Sequence, residues 1–146
     1  MKVAIGSDHI AVELKASLIE HLTGRYDVVD AGTDGGQRVD YQAVAWKVTQ
    51  LLASGECERG ILLCGTGVGM SLAANAVEGI RAVVCSEPYT ARMARLHNDT
   101  NVLCMGARVV GHELAGMIAD VWLETPFEGG RHKARIDEIM ERRRKG

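Results

Sequence analysis

The sequence predicts a Rossmann-like α/β three-layer sandwich with a five-stranded parallel sheet and a C-terminal helical arm. Short runs rich in β-branched and apolar residues alternate with longer stretches whose apolar residues recur at helical spacing. The short runs are apolar without interruption, as in Ile61-Leu62-Leu63, which suits strands covered on both faces. Strand–helix alternation in turn implies right-handed crossovers between parallel strands, with a helical layer on each side.

In chain order, Lys2 to Gly6 reads as the first strand and Ile10 to Leu22 as the helix that follows it. Asp27 to Ala31 is the second strand. After it, Gly32 to Asp40, with Gly35-Gly36, is the longest irregular stretch before the tail, and Tyr41 to Ala53 is the next helix. Gly60 to Cys64 and Gly69 to Val77 form the third pair, Arg81 to Cys85 and Pro88 to Leu96 the fourth, and Asn101 to Met105 with His112 to Leu123 the fifth. Beyond Pro126, the charged segment Gly130 to Lys145 offers only Ala134, Ile136, Ile139 and Met140 as an apolar stripe. Such a helix is marginal alone, so residues 130–146 are expected to pack as an arm on a partner subunit, making the protein a homo-oligomer. The terminal Arg142-Arg143-Arg144-Lys145 reads as a solvated helix end favoured by the macrodipole. With no repeat or linker, residues 1–146 read as a single domain.

Composition narrows the function. Lys+Arg 17 against Asp+Glu 19 leaves a net charge of -2, which provides no global field for nucleic acid or an anionic membrane. No run approaches the ~20 apolar residues of a membrane span, and Val3-Ala4-Ile5-Gly6 is too short for a signal-peptide core, so the expectation is a soluble, cytoplasmic protein. The four cysteines, Cys57, Cys64, Cys85 and Cys104, stand singly without a CxxC pair, which argues against a zinc ribbon or a thioredoxin-like motif. Cys85 and Cys104 read as small buried hydrophobes.

In open parallel sheets ligands bind beyond the carboxyl ends of the strands. Here those ends carry Gly6-Ser7-Asp8-His9, then Cys64-Gly65-Thr66-Gly67-Val68-Gly69, then Ser86-Glu87-Pro88-Tyr89, then Gly106-Ala107-Arg108. Alternating glycines at a helix start let successive amides turn toward one concavity, an anion hole for a phosphate or for negative charge that develops during a reaction. A dinucleotide site would need GxGxxG after the first strand, whereas this run is GxGxG after the third and the first turn holds Asp8-His9, so no cofactor is called for. Cys64 ends an apolar strand, the usual place of a core cysteine, yet N–H donors at a helix start favour its thiolate, the form that acts as a base. Thr66 is placed to shuttle protons between substrate oxygens, and equally to cap the following helix. His97-Asn98-Asp99 reads either as a helix-ending turn or as the source of an imidazole for proton transfer, with Asp8 and His9 supplying complementary hydrogen bonds. Arg131 and Arg135, at i and i+4 with His132 beside them, form a guanidinium fork suited to phosphate, and Arg108 is a third candidate.

Gly6-x-Asp8-His9, Asp40-Tyr41, the Cys64 to Gly69 run, Gly79-Ile80-Arg81-Ala82, Ser86-Glu87-Pro88-Tyr89, His97-Asn98-Asp99-Thr100-Asn101 and Glu128-Gly129-Gly130-Arg131-His132 together closely resemble the type B ribose-5-phosphate isomerase family, end to end. That family includes galactose-6-phosphate and allose-6-phosphate isomerases. The resemblance implies a metal-free aldose–ketose isomerase that interconverts ribose 5-phosphate and ribulose 5-phosphate through an enediolate, in a dimer or tetramer whose active sites combine two subunits. It implies Cys64 as the proton-abstracting base, Thr66 as its helper, His97 as the ring-opening acid/base assisted by Asp8, and the loop of Gly65, Gly67, Val68 and Gly69 as the enediolate cradle. His9, Tyr41, Asn98, Arg108, Arg131 and Arg135 correspond to substrate and phosphate contacts. One family branch places a glutamate base where this chain has Met70, so the cysteine branch is implied. Isomerases of other aldose phosphates, including tetrose phosphates, and a non-catalytic phosphate- or nucleotide-binding module are the alternatives.

Overall fold

The computed structural model describes residues Met1–Gly146. Its elements are β1 (Lys2–Ser7), a 3₁₀ turn (His9–Ala11), α1 (Val12–Leu22), β2 (Asp27–Asp30), α2 (Tyr41–Ala53), β3 (Arg59–Cys64), α3 (Val68–Asn75), β4 (Ala82–Val84), α4 (Pro88–Leu96), β5 (Val102–Gly106), α5 (His112–Glu124) and α6 (Arg131–Lys145). All strand pairs are parallel, in the order β2-β1-β3-β5-β4, so the fold is the expected three-layer α/β sandwich. No helix is long and apolar enough to cross a membrane.

Side chains leave a strand alternately to its two faces, and the sheet divides its apolar residues accordingly. Val3, Ile5, Ile61, Leu63, Leu103 and Met105 pack with α1, α4 and α5, around a fully buried Trp122. Ala4, Leu62, Cys64, Val102 and Cys104 pack on the other face with α2 and α3. Two strand glycines let α2 lie close, since a Cβ at Gly6 or Gly60 would stand 2.6 Å from Val44 Cγ1 or 2.7 Å from Val48 Cγ1.

Boundaries differ from expectation mainly at β4, which keeps only Ala82–Val84. Arg81 is drawn out of it because its amide donates to the Asn101 side chain and its Nε to the Asp99 carbonyl, both at 2.7 Å. The last helix lies against its own chain through buried His132 and Ile136, while Ile139 stays 62% exposed. Arg143, expected in a solvated helix end, instead donates to the carbonyls of Asn75 (2.7 Å) and Ile80 (2.8 Å). Those two carbonyls lie at the end of α3 and just before β4, and the guanidinium satisfies both.

Candidate active site

The order in which strands are added reverses between β1 and β3, because β2 is added on one side of β1 and the later strands on the far side of β3. Ser7 is in register with Leu63 there, and the Asp8 amide donates to the Leu63 carbonyl at 3.1 Å. Chain ends diverge at such a switch point and leave a crevice at the carboxyl edge. The Cys64 to Gly69 loop and Asp8-His9 therefore flank it.

Cys64 is 6% exposed, at the margin of the α2–α3 side of the core. Its Sγ accepts a hydrogen bond from the Gly67 amide at 3.1 Å. Gly67 holds φ 85, a left-handed conformation open to glycine, and a Cβ there would come within 3.0 Å of the Met105 backbone. Gly106 serves the same close approach, since its Cβ would stand 2.6 Å from Thr66 Cα. A glycine in the turn and another at the end of β5 thus let the Thr66-Gly67 turn press onto that strand end. Thr66 Oγ1 accepts from the Val68 amide at 3.2 Å, so it tightens the start of α3, and the residue itself is exposed. Met70 is fully buried in the core and unavailable to a ligand.

Four other expected residues join this edge. Asp8 is 5% exposed, and its Oδ1 accepts from the Ile10 amide at 3.0 Å. His9 Nδ1 lies 3.3 Å from both the Val39 amide nitrogen and the Val39 carbonyl oxygen, tying the Gly32 to Asp40 stretch to the rim. The Tyr41 ring covers Gly69, where a Cβ would meet its atoms at 2.8 Å. Arg108 follows β5, with its amide on the Gly65 carbonyl at 3.1 Å and its Cδ 3.8 Å from where a Gly65 Cβ would be.

The remaining expected residues lie at the opposite edge. His97 caps the end of α4 and Asn98 follows it, before β5 begins at Val102. Arg131 opens α6 beside them, with Arg135 one turn on. At a rise of about 3.3 Å per residue, the length of β5 separates the two edges by roughly 15 Å. One chain thus brings Cys64, Gly65, Thr66, Gly67, Val68, Gly69, Asp8, His9, Tyr41 and Arg108 together, and holds His97, Asn98, Arg131 and Arg135 apart from them.

The second group rests on a scaffold that sequence patterns did not assign. Arg95, 3% exposed, donates through Nη1 to the Thr100 carbonyl (2.6 Å) and Asp99 Oδ1 (2.9 Å), and through Nε to the Thr125 carbonyl (3.2 Å). Asp99 takes φ 47 in the turn that Arg95 and Arg81 hold. The Trp122 indole donates to Thr100 Oγ1 at 2.9 Å, which in turn donates to the Ala94 carbonyl at 3.1 Å. His97 stacks on His132 with centroids 4.3 Å apart and planes 14° apart. With Glu128 they place three donor atoms within 4.8 Å of one another. In-plane lone pairs of nearly parallel stacked rings run side by side instead of converging, so this cluster as built does not form a metal site. Arg95 carried no sequence signal distinguishing it from any helical arginine, whereas Glu128 and His132 lay within a noted motif without a role.

Comparison with known proteins places this geometry in a family. Residues 3–139 match the family described as Ribose/Galactose Isomerase. The chain is 53% identical to ribose-5-phosphate isomerase B of Escherichia coli over 146 residues, 98% of each chain. It is 40% identical to a D-erythrulose-4-phosphate isomerase of Pectobacterium atrosepticum over 141 residues, 95% of this chain and 93% of that one. A solved ribose-5-phosphate isomerase B of Clostridium thermocellum superposes with a TM-score of 0.97 at 51% identity, covering 99% of both chains. At these identities and coverages the chain is an isomerase and belongs to the ribose/galactose isomerase family.

Proposed function

We propose that the protein interconverts ribose 5-phosphate and ribulose 5-phosphate through an enediolate, without a cofactor, with Cys64 as the base. The observation that carries this reading is the Gly67 amide aimed at Cys64 Sγ from 3.1 Å, within a loop whose other amides start a helix. An N–H directed at sulfur stabilises negative charge there, and the thiolate is the form that takes a proton.

The reaction begins with ring opening. His97 removes the proton from O1 and delivers a proton to the ring oxygen, so the C1–O bond breaks as the C1 carbonyl forms. Asp8 assists. Cys64 then takes the C2 proton, the electron pair moves into the C1–C2 bond, and charge collects on the oxygens of an enediolate held by the amides of the Gly65 to Gly69 loop. Thr66 passes a proton between the neighbouring oxygens, and the Cys64 thiol returns its proton to C1. Tyr41 walls the cradle over Gly69. His9, Asn98, Arg108, Arg131 and Arg135 bind substrate and phosphate, in keeping with the bidentate geometry of guanidinium.

A single chain keeps Cys64 and His97 at opposite edges of its sheet. The reading therefore requires a homo-oligomer, a dimer or tetramer, in which the carboxyl edge of one copy faces the His97 edge of another, with the last helix at that junction. The exposed Trp46, Val68 and Leu72 of α2 and α3 supply apolar surface for such packing. Four free, buried cysteines accord with a reducing, cytoplasmic setting.

The test is hydrogen exchange in deuterated water. Conversion of ribose 5-phosphate should label the ketose at C1 and wash hydrogen from C2 of the recovered aldose. Retention of the C2 hydrogen with no ketose formed would remove this substrate. The similarity to a D-erythrulose-4-phosphate isomerase makes a tetrose 4-phosphate the second substrate to test, in parallel kcat/KM measurements.

A further inference from the structure

Two side chains enclose the His97 imidazole without a part in the scheme above. His132 stacks on it, is 8% exposed, and leaves its buried Nε2 without a hydrogen bond. The Glu128 carboxylate reaches both rings, lying 4.0 Å from His97 Nε2 and 3.9 Å from His132 Nε2. Its own amide donates to the Leu96 carbonyl at 3.0 Å, which ties it to the residue preceding His97.

From this geometry we infer that Glu128 and His132 are positioning residues for His97: the stacked ring fixes the plane of its imidazole, and the carboxylate stabilises its proton. The inference deepens the proposed function, since it rests on His97 as the ring-opening group. A histidine 39% exposed at a helix end is free to turn about its side-chain torsions unless something holds the ring. A face-to-face neighbour at 4.3 Å does so. Two cationic imidazoles at that separation would repel each other. Burial, then the charges of His97 and Arg131, push the His132 pKa below the ordinary imidazole range. Glu128 opposes this and Arg135 adds to it. Of the two rings His97 is the more exposed, at 39% against 8%, and the Glu128 carboxylate lies 4.0 Å from its Nε2.

The test compares Glu128→Gln, Glu128→Asp, His132→Phe and His132→Ala in two assays. The first is isomerisation of ribose 5-phosphate, whose furanose must open. The second is exchange at C1 of ribulose 5-phosphate in deuterated water, which starts from an open chain and needs no ring opening. Glu128→Gln should lower kcat for the aldose about tenfold, a part of the 10²–10⁴ that general acid–base catalysis supplies, with KM within about twofold. The acidic limb of its pH profile should move to lower pH, because the imidazolium has lost its carboxylate. Glu128→Asp should recover part of the loss, and His132→Phe, which keeps a stacking ring, should retain more turnover than His132→Ala. Ketose exchange should stay within about twofold throughout. An unmoved pH profile in Glu128→Gln, or exchange falling as far as isomerisation, overturns the inference while an active wild type leaves the isomerase reading standing. A wild type inactive in both assays overturns the isomerase reading and this inference with it.

Discussion

The amide of Gly67 points at the sulfur of Cys64 from 3.1 Å, and the turn that aims it is clamped by Gly106 on the neighbouring strand end. This relationship separates Cys64 from the other buried cysteines. Burial, with the Glu87 carboxylate adding to it, raises the thiol pKa of Cys85 to about 12, and burial likewise is the chief cause that raises Cys104. Those two lack an amide donor and serve as core.

Cys64→Ser should therefore retain the fold and lose turnover by at least about a hundredfold, since a hydroxyl is a far weaker base near neutral pH. Circular dichroism and steady-state kinetics check both halves of this expectation. Turnover within about twofold of wild type would assign the base elsewhere.

Mixing two inactive variants tests whether sites are shared. Refolded together, Cys64→Ser and His97→Asn chains should regain about a quarter of wild-type activity, because a two-fold hybrid rebuilds one intact site from the unaltered Cys64 of one copy and His97 of the other. Activity that stays at the level of the separate variants would place both residues of each site in one chain.

Gly106→Ala should reduce activity more than stability. The added methyl meets Thr66 Cα at 2.6 Å, and a backbone contact relaxes by moving the loop that carries the amide donors. Overpacking of this kind costs about 1–3 kcal/mol, read from urea unfolding, whereas displacement of the Gly67 amide should show as a loss in kcat.

Arg95→Met should destabilise the fold by about 2 kcal/mol, because two carbonyls and the half-exposed Asp99 carboxylate lose their buried donor. The affected groups, Asp99, Thr100 and Thr125, hold the turn that carries His97 and Asn98. Thermal unfolding gives the loss, and a KM raised along with a lowered kcat would report the loosened turn.

Arg135→Ala should raise KM for ribose 5-phosphate with little change in kcat, the pattern of lost uniform binding. Addition of inorganic phosphate as a competitive inhibitor provides a second reading, since its Ki should rise in parallel. Kinetics identical to wild type would remove Arg135 from the phosphate site.

The fold was legible in the sequence because hydrophobic periodicity is a local record of burial: unbroken runs such as Ile61-Leu62-Leu63 belong to strands covered twice, and helical spacing marks their crossovers. The glycine loop after Cys64 was legible for the same reason, since its need for left-handed and close-approach backbone restricts residue type at each position. Which residues share an edge was not. His97 and Cys64 each stand beside a strand in sequence, yet one precedes β5 and the other ends β3, so parallel pairing sends them to opposite ends of the sheet. Arg95, Glu128 and Arg143 likewise acquired their partners from residues up to 68 positions away. A side chain's type records the environment it needs, but the identity of its neighbours arises when distant segments pack. The placement of Cys64 and His97 at two edges of the sheet therefore came from the three-dimensional arrangement, whereas the expectation of a second copy was already legible in the charged last helix.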